Sequence, residues 1–197
     1  MGSVLPLFAA DQRPLAKEGV LDLRDWDFEK NDAIGLSGEW KFLWLEDSRE
    51  FTLPVYNASS WDTIGVPMFW NEQTGSGEGY GWYRLKILLP QDKDNSHLGI
   101  YVEYLYTSYE LYVNGRRIMA NGIPGISRES SYPQFLPKLR KLKLSKNTKE
   151  LTIAIKAANF HRKRGGAWSS PKLGSHEKLK LSLFRKDAID IDRKSVV

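Results

Sequence analysis

The chain has 197 residues, 41% of them hydrophobic, enough to bury one substantial core and too few for two large domains. Its formal charge is +5 and it has no cysteine, which excludes a disulfide framework and any Cys-ligated metal while leaving the redox compartment open. The densest basic runs, Lys138 to Lys146 and His161 to Arg164, would suit anionic partners. However, the first run alternates with Leu139, Leu142 and Leu144 as a half-exposed strand does, and no nucleic-acid motif accompanies either, so no nucleic-acid partner is expected.

In chain order, Met1-Gly2-Ser3 has the look of an expression remnant. Val4 to Ala10, ahead of Asp11, fits either the tail of a signal peptide with its small-residue cleavage site or an apolar arm packed on the domain. No apolar run reaches the ~18 residues that a membrane helix needs. Residues 11 to 37 read as an irregular lead-in, with a short strand at Gly19 to Arg24 and with Trp26 and Phe28 as anchors. Trp40, Phe42 and Trp44 then share one face at the period of two of a half-buried strand. After a loop at 46 to 63, Ile64 to Pro67 reads as a short edge strand ended by proline.

The stretch Gly75 to Gly81 lacks the Gly-Lys-Ser/Thr of a P-loop and precedes a strand instead of a helix, so it reads as a binding-face loop or a connector. Three apolar faces follow: Tyr83, Leu85, Ile87 and Leu89; then Leu98, Ile100, Val102 and Tyr104; then Tyr109, Leu111 and Val113. Asn114-Gly115 stands where a two-residue type I′ turn belongs, with Arg116 to Ala120 as the returning strand. Residues 121 to 137, with three Pro and two Gly, read as a long loop. Strands at Leu139 to Leu144, at Leu151 to Ile155 and at Leu179, Leu181 and Leu183 close the domain, with a loop from Asn159 to Ser175 before the last. No segment shows a helical period over three turns. About eight to ten short strands with regular turn signals predict an all-β sandwich.

Few residues are arranged for chemistry. An Asn-Glu pair such as Asn71-Glu72 holds the acid/base carboxylate in many retaining glycosidases, but those enzymes need a second carboxylate ~5 Å away. They typically mount both on a barrel of ~250 residues, so a loop position without catalytic role is expected here. His97, His161 and His176 lack the spacing of metal ligands, and no Gly-x-Ser-x-Gly elbow is present. The chain is therefore read as non-enzymatic, with no metal and no cofactor.

What remains is the polar and aromatic run Asn159 to Trp168. Its Arg and His donors beside a Trp face suit a hydroxylated or anionic ligand, the alternative being a loop whose arginines simply meet solvent. Trp70, Trp82, Tyr106 and Tyr109 lie near strand ends, where an aromatic either caps the core or stacks on a ligand; Trp82 and Tyr109 are read as core or rim. The candidate ligand contacts are Trp70, Tyr80, Tyr106, His161, Arg162, Arg164 and Trp168.

The ordered motifs Gly38-Glu39-Trp40-Lys41-Phe42, Trp61, Val66-Pro67 with Trp70, Gly81-Trp82-Tyr83-Arg84 and Tyr112-Val113-Asn114-Gly115, ending near Asn159, carry a family likeness. On them, residues 38 to 159 resemble the N-terminal sugar-binding jelly-roll domain of glycoside hydrolase family 2. The resemblance implies a galactose-binding-domain-like jelly roll that does no chemistry itself.

A second likeness rests on Gly19-Val20-Leu21-Asp22-Leu23-Arg24-Asp25-Trp26, Thr107-Ser108-Tyr109 before Asn114-Gly115, and Asn159-Phe160-His161 with Gly165-Gly166. On these residues 19 to 185 resemble the extracytoplasmic domain of bacterial seven-transmembrane receptors with diverse intracellular signalling modules. That resemblance implies a periplasmic sensor for a small-molecule or carbohydrate ligand. Its partner would be the transmembrane region of a parent receptor whose output is an adenylate, guanylate or diguanylate cyclase or a histidine kinase, with self-association left open. On this reading residues 1 to 18 are tag or signal remnant and arm, and residues 186 to 197 begin a linker toward a membrane segment. The rival expectations are a non-catalytic sugar-binding domain of a glycoside hydrolase and a protein-interaction sandwich without a small-molecule pocket.

Overall fold

Tyr83, Leu85 and Ile87 alternate with Trp82, Arg84 and Lys86 along β6 (Gly79–Leu88), and that alternation makes β6 the spine of the larger sheet. In the computed structural model, which describes residues 13–45 and 58–194, β6 pairs antiparallel with β3 (Gly38–Trp44) and with β11 (Glu150–Asn159). The sheet runs β4 (Asp62–Val66), β3, β6, β11, β8 (Ser108–Val113) and β9 (Arg116–Asn121), and β1 (Val20–Asp22) joins β6 in parallel.

A second sheet has the order β10 (Lys138–Lys141), β7 (Leu98–Val102), β13 (Lys172–Ser175) and β2 (Ile34–Gly35). Tyr83, Leu85, Ile87, Ile153 and Ile155 of the first sheet meet Ile34, Leu98, Ile100, Val102 and Leu173 of the second in one buried cluster. Two sheets closed over a shared apolar interior are the sandwich that the alternation predicts. The larger sheet is covered on its outer face as well, where Trp61, Tyr80, Trp82, Ala154 and Ala158 form a smaller buried cluster. The predicted hairpin is present: Asn114 and Gly115 have φ of 48° and 76°, the two positive values a type I′ turn requires, and β9 returns beside β8.

The end of the chain departs from the expected strand. Leu179, Leu181 and Leu183 lie in a helix, α2 (His176–Lys194), which packs on β7, β10 and β13. Three alternating leucines are too short a run to fix a period of two, and the intervening Lys180 and Ser182 do not oppose a helix. The helical turn buries Leu179 and leaves Leu181 and Phe184 56% and 61% exposed. Lys178 Nζ donates to the carbonyls of Phe28, Glu29 and Asn31, while Lys186 Nζ pairs with Glu103 at 2.6 Å. Smaller differences follow the same logic of tertiary pairing. The strand expected over Leu139 to Leu144 ends at Lys141, Gly79 to Gly81 belong to β6, and β13 occupies part of the expected loop from 159 to 175. The expectations for Met1 to Ala10, and for most of the 46 to 63 loop, lie outside the described residues.

The loop after β11 is held by side-chain amides. Asn159, the last residue of that strand, is fully buried. Its Nδ2 donates to the carbonyls of Gly77 (2.7 Å), Arg162 (2.8 Å) and Arg164 (3.2 Å), and its Oδ1 accepts from the backbone N–H of Arg162 (3.1 Å) and His161 (3.3 Å). From the other side Asn71, on the single-turn helix α1 (Asn71–Thr74), donates to the Lys163 carbonyl at 2.9 Å and accepts from the Gly165 N–H at 3.0 Å. Together the two amides engage the N–H groups of His161, Arg162 and Gly165 and the carbonyls of Arg162, Lys163 and Arg164, in a stretch that has no regular ladder.

Replacing Asn159 by Ala leaves several of these groups without partners, so urea unfolding should show a loss of ~2–3 kcal/mol. Asn159→Asp, which turns a carboxylate toward three carbonyl oxygens, should lose at least as much. A change within ~0.5 kcal/mol for both variants would show that the loop does not depend on this residue.

Candidate functional site

Three short backbone pieces meet at one end of the sandwich. β5 (Met68–Phe69) pairs with β12 (Gly166–Ala167), placing Phe69 opposite Gly166, and the Tyr106 N–H donates to the Gly166 carbonyl at 3.1 Å. Gly165 must come so close to Trp70 that a Cβ there would collide with its indole and with the Gly77 carbonyl, which is why the chain carries no side chain at that point. The pairing brings together Phe69, Tyr106 and Trp168. The Phe69 and Trp168 centroids are 5.1 Å apart, Phe69 and Tyr106 6.0 Å, and Tyr106 stands edge-on to Trp168 at 6.2 Å.

The loop from 122 to 137 supplies the neighbouring wall. It is tied down by the Gln134 N–H on the Thr107 carbonyl (3.1 Å) and by Asn121 Nδ2 on the Leu136 carbonyl (2.9 Å). His161 Nε2 lies 2.8 Å from the Ser131 carbonyl, and because a carbonyl only accepts, that nitrogen carries the proton. Phe135 from this loop meets Tyr106 edge-on at 5.8 Å. The Arg162 guanidinium lies 5.4 Å from the Phe135 centroid and the Arg164 guanidinium 5.2 Å from that of Phe69. Each such contact contributes about 0.5–1 kcal/mol at an exposed site, enough to bias where the guanidinium rests.

The result is a cleft of about 570 Å³ lined by Phe69, Tyr106, His161, Arg162, Lys163, Arg164 and Trp168. Trp168 is 52% exposed. Among the described residues no carboxylate lines the cleft and none pairs with Arg162, Lys163 or Arg164. A wall of aromatic rings beside unpaired cations is suited to a ring-shaped ligand with a negative group. The cleft holds, among the described residues, no pair of carboxylates of the kind that glycoside hydrolysis requires. Among the described residues no group of three or more His, Asp or Glu side chains could hold a metal ion, and no helix is long and apolar enough to cross a membrane.

Five of the seven expected contacts, Tyr106, His161, Arg162, Arg164 and Trp168, are gathered in this cleft. Trp70 and Tyr80 are not. Trp70 is fully buried at the end of the core, 6.4 Å from Phe42 and Tyr83 and 5.2 Å from Trp44, with its Nε1–H donating to the Gly77 carbonyl at 3.0 Å. That hydrogen bond lets an indole be buried without an orphaned donor, so Trp70 caps the core and is not a ligand contact. Tyr80 projects to the outer face of the larger sheet and packs 6.3 Å from Phe160 in the smaller cluster. Phe69 and Lys163 complete the lining and were not anticipated; Phe69, directly before a buried Trp, gives no periodic signal of its exposure.

No protein-family model matches the chain. A Formosa agariphila protein to which β-glucuronidase activity is ascribed is 28% identical over 137 residues, a match covering 62% of this chain and 12% of that protein. The Bacteroides uniformis β-glucuronidase structure superposes with a TM-score of 0.55 at 20% identity, over 72% of this chain and 17% of that one. A β-glucuronidase from glycoside hydrolase family 2 gives 0.56 at 21% identity, over 72% and 17%. The chain thus spans less than a fifth of the length of each, and the likeness to receptor sensor domains draws no support from these relatives. What the comparisons establish is the fold: an all-β jelly-roll sandwich of the kind that forms one part of family 2 glycosidases.

Proposed function

We propose that the chain is a non-catalytic recognition module that binds an acidic carbohydrate in the cleft between Phe69 and Trp168. One observation carries the reading: among the described residues the cleft presents three aromatic and four basic side chains and no acid. The rings would cover the apolar C–H face of a pyranose while Arg162 and Arg164 take its carboxylate, an arrangement in which planar guanidinium groups outperform ammonium. That the relatives are named β-glucuronidases makes uronic acids the first ligands to try. No chemical step is assigned to this chain.

A finer reading places the module outside the cytoplasmic membrane as the sensor of a receptor. Helix α2 favours it, because Leu179 is its one buried residue among those whose exposure is described, so its hold on the sandwich is mostly polar and little apolar burial resists its movement as a lever. A ligand moves such a lever only if its binding energy differs between two states. Because the chain has no cysteine, single cysteines at Phe184 and Ile123, both exposed, can carry spin labels without background. A distance between them that shifts on saturation with a uronate supports the sensor, and an unaltered one contradicts it.

Binding itself is tested by calorimetry with glucuronate- and galacturonate-containing oligosaccharides and their neutral counterparts at low salt. Trp168→Ala and Arg164→Ala should each weaken binding of the acidic sugars tenfold or more while leaving unfolding unchanged, since both side chains lie on the surface. Trp70→Ala should instead lose ~3–5 kcal/mol of stability as a core truncation. Affinity untouched by the two surface variants, or no binding by any acidic sugar, would sink the proposal.

A further inference from the structure

On the lateral side of the sandwich, well separated in sequence from the loop cleft, no strand among the described residues closes the gap between the two sheets. β9 ends the larger sheet and β10 ends the smaller one, so among the described residues each has one edge without a ladder partner. Between them lies a second cleft, of about 420 Å³. Val113, Ile118, Leu142 and Leu144 make an aliphatic floor, and Ile118 is placed there by a register shift between Leu111 and Tyr112 that leaves it as the extra residue of β9. Lys138 Nζ donates to the Ala120 carbonyl and ties the two edges together near the far end of β9.

The rim is basic. Arg116, Arg140, Lys141 and Lys143 line it, all exposed, and among the described residues no carboxylate does. Arg117 is also there but is already engaged by Glu110. Among the described residues no aromatic ring on which a sugar or a base could stack lines the cleft. Its walls begin on two edge strands, Arg116 to Ile118 of β9 and Arg140 and Lys141 of β10, whose free N–H and C=O groups suit an extended backbone. A strand laid between them would alternate its side chains, one set toward the aliphatic floor and the other toward the cationic rim.

From this geometry we propose that the β9–β10 cleft docks an extended peptide segment of a partner protein in which apolar and acidic residues alternate. The basic rim acts as a filter, disfavouring pairing with neutral or basic strands, including a second copy of these edges, and favouring an acidic complement.

The test uses the full chain and fluorescently labelled hexapeptides in anisotropy titrations at low salt, with alternating Glu-Val, Lys-Val and Glu-Ser sequences. The Glu-Val peptide should bind, the Lys-Val peptide should not, and Glu-Ser should bind at least tenfold more weakly. In the Lys141→Glu, Lys143→Glu double variant, Glu-Val affinity should fall tenfold or more with the melting temperature unchanged. Equal binding of Glu-Val and Lys-Val, equal binding of Glu-Val and Glu-Ser, or indifference to the double variant would overturn the proposal. So would tighter binding of heparin or of an oligonucleotide than of Glu-Val, which would mark the rim as a general polyanion surface.

Discussion

Two asparagine amides set the conditions for the site. The loop from His161 to Gly165 has neither helix nor ladder to satisfy its backbone, and it crosses the end of the sandwich close against Trp70 and Gly77. Asn159 and Asn71 supply that loop with donors and acceptors from opposite sides, five contacts from the first and two from the second. Because Asn159 is fully buried at the end of β11, the loop inherits the rigidity of the central sheet. Arg162 and Arg164 are thereby presented beside the aromatic cluster at fixed backbone positions, and their cation–π contacts narrow the side-chain choices further. A recognition surface made from a loop needs this support, since ordering a free loop at the moment of binding would consume much of the interaction energy.

The larger sheet supports that loop because it is covered on both faces. Trp82, Ala154 and Ala158 point outward into the smaller cluster while Tyr83, Ile153 and Ile155 point inward. A strand buried on both sides has little freedom to slip, because a one-residue shift would exchange the two sets. β6 and β11 pair over ten residues each, and their shared register places Asn159 opposite Gly79 at the loop end. The aromatic wall and the amide clamp thus meet at the same end of one strand pairing.

Much of the sandwich was legible because its signals are local. Asn114-Gly115 announces its turn through the two positive φ values that few other pairs tolerate, and Tyr83, Leu85 and Ile87 announce their face through alternation alone. The helix over Leu179 to Leu183 was not legible, since the same three leucines satisfy a short strand pattern and only packing on β7 and β13 decides between them. Trp70, near a strand end, and Trp168, in a polar loop, both read from the sequence as candidate ligand contacts. They differ in what distant segments do. Phe42, Trp44 and Tyr83 enclose Trp70 and Gly77 takes its N–H, whereas Trp168 is left half in solvent beside Phe69 and Tyr106. The basic loop residues were legible as donors from composition, but their freedom from carboxylate partners is a property of the folded surface.

The most direct test of this account is a ¹H–¹⁵N correlation spectrum recorded as glucuronate is added to the uniformly labelled chain. The account predicts that the largest shifts fall on the Trp168 indole N–H, the Arg162 and Arg164 side-chain N–H groups and the backbone of residues 161 to 168, with the buried Trp70 indole little changed. Shifts concentrated elsewhere, or none at millimolar ligand, would contradict it.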